Sequence, residues 1–124
     1  MHNKDLPAAL DAYFLALEGK FDLASLGVAV RHDVRFSLDG AEYTNGIKAV
    51  RALIRARRQQ LRGAVLEITR VRNCGDGSLK VDFHVTPKGS PVKFNVLAMY
   101  TLSDGRIAKI FEAWPPLMLS RSNR

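Results

Sequence analysis

The spacing of hydrophobic positions changes near Gly63. Before that residue, hydrophobic positions recur every three or four residues, which is the spacing of an amphipathic helix. After it, short β-rich runs are separated by turn sequences, a pattern typical of antiparallel hairpins and not of strand–helix–strand units. The chain is therefore predicted to be an α+β protein, with its helices mostly in the first half and its sheet in the second.

The first half predicts three helices and one strand. Asp5 can cap the first helix, Pro7 lies in its first turn, and its periodic pattern ends near Gly19. Asp22 can cap a shorter second helix that extends to Val30. The strand and the third helix follow at these apolar positions: Val34, Phe36 and Leu38 for the strand, and Ile47, Val50, Leu53, Ile54 and Leu61 for the helix.

The second half predicts four strands, which are separated by turns rich in glycine and proline. Their ranges are 64–72, 79–86, 92–102 and 106–114. Residues 117–124 show no periodic pattern, so we expect a loose C-terminal tail there. Because no linker or internal repeat interrupts the pattern, residues 1–124 are predicted to form a single domain.

The last predicted strand places a carboxylate among apolar side chains. Side chains alternate between the two faces of a strand, and Lys109 is expected to face away from the core. This parity predicts two sets, with Ala108, Ile110, Glu112 and Trp114 facing inward and Ile107, Phe111 and Ala113 facing outward. A buried carboxylate must find a partner or lose its charge. Glu112 is therefore a candidate acid or base, and a structural glutamate bonded to tyrosine, arginine or water is the alternative.

Arg57 is a second charged residue on an apolar face. It lies four residues after Leu53 and four before Leu61 on the third predicted helix. Its guanidinium can reach a buried carboxylate or an anionic ligand, or it can extend along the helix to solvent. We predict that Glu112 lies within direct or one-water hydrogen-bond reach of Tyr13 or Arg57.

The charge of the chain points toward nucleic-acid binding, because the formal net charge is +7. Several basic residues form one stripe on the third predicted helix, at Lys48, Arg51, Arg55, Arg58 and Arg62. No exposed aromatic residues alternate with them, and no recognition motif is present. We interpret the stripe as a solvated helix face and expect no nucleic-acid partner.

Composition restricts the class of protein further. Of 124 residues, 47% are hydrophobic and 25% are charged, as in an ordinary globular domain with one core. No segment approaches the length of a membrane span, and the N-terminus lacks the apolar stretch of a secretory signal. We therefore expect a cytoplasmic protein with no membrane contact. Cys74 is the single cysteine, so no disulfide, metal site or cofactor is expected.

The order of these elements resembles the nuclear transport factor 2-like superfamily, which includes SnoaL-like polyketide cyclases and ketosteroid isomerases. The resemblance is carried by residues 10–23, 32–40, 46–51 and 100–114. It implies a cone-shaped α+β barrel, in which three helices cover a strongly curved, mixed and mainly antiparallel sheet around a deep pocket. It also implies a homodimer through the outer sheet face, where parity places Leu97, Met99, Phe111 and Ala113.

The resemblance also suggests chemistry and restricts it. Tyr13 is similar to the first-helix tyrosine with which ketosteroid isomerases bind a developing oxyanion. Leu38 and Ala98 stand where those enzymes carry their two acids, so their form of steroid isomerisation is not expected. Pro115 follows Trp114 at the position where SnoaL-like cyclases often carry an aspartate.

We expect a pocket for a small hydrophobic or aromatic molecule that bears one polar group. Besides Tyr13, Arg57 and Glu112, it is predicted to be lined by Leu17, Phe36, Leu53, Val81, Phe83, Phe94, Val96, Tyr100, Ile110 and Trp114. One interpretation is a non-catalytic binding or dimerisation domain. The alternative is an isomerase, cyclase or hydratase with Glu112 as acid or base, Tyr13 as oxyanion donor and Arg57 as substrate anchor.

Overall fold

Three helical segments cover one face of the sheet. The computed structural model describes residues 6–41 and 43–115. Helix α1 spans Ala8–Leu17, a 3₁₀ helix spans Leu23–Val28, and helix α2 spans Ile47–Gln60. No helix within these described ranges is long and apolar enough to cross a membrane.

The sheet has six strands in the order β2-β1-β6-β5-β4-β3. The strands are β1 (Val30–Leu38), β2 (Thr44–Asn45), β3 (Val65–Asn73), β4 (Ser78–Thr86), β5 (Phe94–Ser103) and β6 (Arg106–Ala113). Strands β1 and β6 run parallel, and every other neighbouring pair is antiparallel. Three helices on a six-stranded mixed sheet confirm the predicted α+β, cone-like fold.

The first helix begins later than Asp5 would place it. Pro7 occupies its N-cap position without a side-chain hydrogen bond, and the helix starts at Ala8. Proline suits a helix start because the first N–H groups of a helix lack intrahelical acceptors in any case. Asp5 and the predicted tail at 117–124 lie outside the described residues.

The second helical segment is shorter than predicted. The Asp22 carboxylate accepts a hydrogen bond from the Ala24 N–H at 3.1 Å, so the predicted cap is confirmed. The helix ends at Val28, however, and Val30 is the first residue of β1, paired with Ile107 of β6. The prediction that Val30 belongs to this helix was wrong because pairing within the sheet outweighs local helical spacing.

A β-bulge in β6 changes the predicted faces of two residues. Thr101 of β5 pairs with Lys109, whereas the next residue, Leu102, pairs with Ile107, so Ala108 is an extra residue. Ile107 is consequently fully buried, and Ala108 is only partly buried. Their predicted orientations were wrong because a bulge shifts the alternation by one residue and adds twist to the strand. Beyond the bulge the prediction holds, with Ile110, Glu112 and Trp114 all buried.

Two members of the basic stripe connect α2 to the first helices. Arg58 donates from Nε to the Ala16 carbonyl and from Nη2 to the Phe21 carbonyl, both at 2.6 Å. Arg51 donates to the Leu23 carbonyl at 2.9 Å. The solvated-face interpretation was therefore wrong for these two arginines. Their N–H groups donate to backbone carbonyls near helix ends, some of which have no acceptor–donor pairing within the helix itself. Lys48, Arg55 and Arg62 are exposed.

Candidate functional site

Glu112 is the centre of a buried hydrogen-bond cluster. Its carboxylate has 0% solvent exposure. Tyr13 and Tyr100 donate their hydroxyl hydrogens to Oε2, at 2.6 and 2.7 Å, and Trp114 donates from Nε1 to Oε1 at 3.0 Å. The predicted contact between Glu112 and Tyr13 is confirmed. Tyr100 and Trp114 were predicted only as apolar lining, and their role as donors to Glu112 was missed.

Three elements bring this cluster together. Tyr13 lies on the buried side of α1, and Tyr100 lies in β5 opposite Ile110 of β6. Glu112 and Trp114 are two residues apart, so their side chains leave β6 on the same face and the indole reaches the carboxylate. The bulge at Ala108 shifts the register between the turn and Tyr100, so aligning the two strands from the turn would not have placed Tyr100 beside Glu112.

Asp39 holds the end of β6 at the same place. Its carboxylate accepts a hydrogen bond from the Trp114 N–H at 2.7 Å, and its own N–H donates to the Glu112 carbonyl at 2.9 Å. Asp39 thus fastens the end of β1 to the backbone of Glu112 and Trp114, just after the Glu112 side chain. Sequence reasoning treated Asp39 only as a turn residue, because this contact joins positions 75 residues apart.

The two phenols have perturbed acidities. Burial raises the pKa of Tyr13 well above its ordinary value of 10.0, and the charge and hydrogen bond of Glu112 raise it further, while Arg57 opposes the shift. Burial and the charge of Glu112 likewise raise the pKa of Tyr100 well above 10.0. Both phenols therefore keep their protons at neutral pH and remain hydrogen-bond donors.

Arg57 lies beside the cluster, and one of its own N–H groups has no hydrogen-bond acceptor among the described residues. It is only 4% exposed, and its Cζ lies 4.3 Å from the centre of the Trp114 ring. Nη1 donates to Gln60 Oε1 at 2.9 Å, whereas Nε is buried and has no hydrogen-bond partner among the described residues. Burial lowers the pKa of Arg57, and the negative charges of Glu112 and Asp39 oppose that shift.

The predicted lining residues divide into two groups. Seven are buried, namely Leu17, Val81, Phe83, Val96, Tyr100, Ile110 and Trp114, and three are partly buried, namely Phe36, Leu53 and Phe94. A side chain with 0% exposure, such as that of Phe83, touches no space that a water molecule can enter. In this conformation the buried group packs as core around Glu112.

A cleft of about 310 Å³ lies elsewhere, between the C-terminal ends of α1 and α2 and the start of β3. Leu17 is the one predicted lining residue that borders it, and charged side chains such as Lys20 and Arg62 contribute to its rim. Within the described part of the chain, no three His, Cys, Asp or Glu side chains lie close enough together to hold a metal ion.

Residues 10–110 match the family model of the SnoaL-like domain. Since this match covers most of the chain, the protein belongs to the SnoaL-like family, as the sequence segments predicted. No curated protein sequence matches the chain.

Solved structures share the fold. A protein assigned as a polyketide cyclase from Sinorhizobium meliloti is 26% identical with a TM-score of 0.70, covering 90% of this chain and 99% of its own. An LEH-like epoxide hydrolase from M. tuberculosis is 21% identical with a TM-score of 0.65, covering 92% and 85%. A de novo designed protein with a curved β-sheet is 15% identical with a TM-score of 0.71, covering 93% and 91%. A designed protein among these neighbours illustrates that the fold by itself does not define an activity.

Proposed function

We propose that this SnoaL-like protein binds a small hydrophobic or aromatic molecule bearing one polar group, in the interior between the helices and the sheet. The observation that carries the proposal is the buried cluster of Glu112, Tyr13, Tyr100 and Trp114, with Arg57 beside it. Apolar residues of similar volume would fill a core at equal or lower free energy than such a cluster. Concentrated polar groups in an apolar interior are instead the usual composition of a ligand site.

The two hydrogen bonds at one oxygen of Glu112 support an enzyme as the second candidate function. Tyr13 and Tyr100 both donate to the same oxygen, Oε2. A ligand oxygen that takes one of these phenols as its donor leaves part of Oε2 free to accept a proton from the ligand or from water. Glu112 then acts as the base and Tyr13 as the oxyanion donor, a chemistry in keeping with the cyclase and epoxide hydrolase among the structural neighbours.

Binding can be measured through the one tryptophan of the chain, Trp114, because its indole is part of the cluster. Titration with 2-naphthol and acetophenone is expected to change its fluorescence saturably. Glu112→Gln keeps the size of the side chain but removes its charge, and we expect it to weaken binding about tenfold through loss of a charged hydrogen-bond acceptor. The matched control, Asp82→Asn on the opposite face of the sheet, should bind as the wild type does.

The binding proposal fails if neither compound produces a saturable change, or if both variants bind alike. The enzyme alternative needs a separate measurement, the hydrolysis of styrene oxide to its diol. If Glu112 is the base, Glu112→Gln abolishes diol formation, and Asp82→Asn retains it. Wild-type protein that binds the probes but yields no diol above the uncatalysed rate would favour the non-catalytic interpretation for this substrate class.

A further inference from the structure

We propose that Arg57 binds a carboxylate of the ligand, so that the molecules recognised by this interior site are small hydrophobic or aromatic carboxylic acids. This inference rests on the proposed function of the same site and narrows its ligand class. It is carried by the position and hydrogen bonding of one buried guanidinium.

The first observation is the Nε–H group of Arg57. The residue is 96% buried, and its Nε has no hydrogen-bond partner among the described residues. Buried N–H groups in proteins are nearly always paired, because leaving a donor without an acceptor carries the full cost of desolvation. An unpaired N–H on a buried arginine next to a polar cluster is a position at which a ligand can supply the acceptor.

The second observation is that the guanidinium is held in place from two sides. Its Cζ lies over the Trp114 ring, 4.3 Å from the ring centre, and its Nη1 donates to Gln60 Oε1 at 2.9 Å. Trp114 is itself anchored by Glu112 through its indole N–H. The edge that carries Nε therefore has a set direction, which lowers the entropy lost when a ligand binds. Such an edge fits the two oxygens of a carboxylate.

Glu112 does not accept a hydrogen bond from the Nε–H of Arg57 in this structure. That carboxylate already accepts hydrogen bonds from Tyr13, Tyr100 and Trp114. Burial raises the pKa of both phenols, so they keep their protons at neutral pH and cannot accept a proton from Arg57 or act as its anion. The Nε edge of Arg57 is left for a second anion.

Partly buried apolar side chains are available for the body of such a ligand. Leu53 lies one helical turn before Arg57 on α2, and Phe36 lies in β1 opposite Ile110. Both are only partly buried, unlike the packed residues deeper in the interior. An aromatic or branched acid can thus bind its carboxylate at Arg57 and place its apolar part against these residues.

The test compares two molecules of the same shape, 3-phenylpropanoate and 3-phenylpropanamide, by isothermal titration calorimetry at neutral pH. The wild type is expected to bind the carboxylate at least about tenfold more tightly than the amide, which is the usual advantage of a charged hydrogen bond. Arg57→Lys keeps a positive charge but removes the Nε edge. We expect it to remove this preference, chiefly by weakening binding of the carboxylate, whereas Arg55→Lys, at an exposed position on the same helix, should behave as the wild type.

The outcomes separate the two proposals. Equal affinity for the two molecules, or a preference that survives Arg57→Lys, overturns the role of Arg57 while the binding function stands. If neither molecule binds and 2-naphthol also fails, both proposals fall. Should Arg57→Lys unfold, as judged by circular dichroism, Arg57→Gln takes its place, and the same loss of preference is required.

Discussion

At the scale of single residues, the buried hydrogen bonds from Tyr13 and Tyr100 to Glu112 are expected to stabilise the folded protein. Tyr13→Phe removes one buried hydrogen bond to a carboxylate and is expected to lower the free energy of unfolding by about 1.5–3 kcal/mol. Urea denaturation measures this change. Tyr43→Phe is the control, because Tyr43 is 38% exposed. Removing its hydroxyl should lower the free energy of unfolding by less than about 0.5 kcal/mol. Equal effects of the two substitutions would contradict the importance of the cluster.

The raised pKa values of the two phenols predict a loss of stability in alkali. In the unfolded chain each phenol ionises near 10.0, whereas in the folded protein the pKa lies well above that value. Stability is therefore fully present below pH 10.0 and falls as the pH rises above it, because only the unfolded chain releases these protons. Each phenol contributes a slope of roughly 1.4 kcal/mol per pH unit.

Unfolding free energies measured in urea between about pH 9 and pH 11.5 test this slope. Tyr100→Phe should show a shallower decline than the wild type, and the variant that lacks both Tyr13 and Tyr100 should show the shallowest. Other groups titrate in the same range, so the comparison depends on differences between variants. Parallel curves for all three proteins would contradict burial of the phenols.

At the scale of elements, Arg58 fixes helix α1 against helix α2. Its two hydrogen bonds reach the carbonyls of Ala16 and Phe21, at and just after the end of α1. Arg58→Met keeps most of the side-chain stem but removes both donors, and we expect a loss of about 1–3 kcal/mol in the free energy of unfolding. Arg55→Met, one turn earlier and exposed, should change it by less than about 0.5 kcal/mol. Thermal and urea unfolding that do not distinguish the two variants would show that these bonds contribute no net stability.

At the scale of the whole molecule, we propose that two copies associate through the outer face of the sheet. Leu97, Met99 and Phe111 are 43%, 40% and 37% exposed, and Met99 is paired with Phe111 across neighbouring strands. Together with Lys80 they border a groove of about 270 Å³. An apolar patch in the middle of a sheet is the usual composition of an interface between identical subunits.

Sedimentation at micromolar concentration is expected to show a dimer for the wild type. Phe111→Glu places a charge in the middle of the patch and should produce a monomer. Val28→Glu introduces the same charge at a residue that is 70% exposed on the 3₁₀ helix, and it should leave the dimer intact. A monomeric wild type, or a dimer that persists in Phe111→Glu, would refute this interface.

Much of the fold follows from local patterns. Helix α2 and strands β3 to β6 lie within two residues of their predicted limits, because strong periodicity and turn residues act over short distances. The inward orientation of Glu112 also follows from alternation along β6. The end of the second helix and the faces of Ile107 and Ala108 do not, since strand pairing and a bulge between distant segments decide them.

The candidate site divides in the same way. The pattern along the sequence made Arg57 and Glu112 candidates, because a charged residue on an apolar face is recognisable without a structure. Tyr13 became a candidate through the family resemblance. Only the tertiary structure decided their partners: Tyr100 and Trp114 donate to Glu112, Arg57 lies over Trp114, and Asp39 fastens the end of β6. The physical reason is that a hydrogen bond needs a donor and an acceptor about 3 Å apart to within a few tenths of an ångström, and local patterns do not set distances between segments far apart in sequence. Periodicity determines which face a side chain occupies, and packing determines what it touches there.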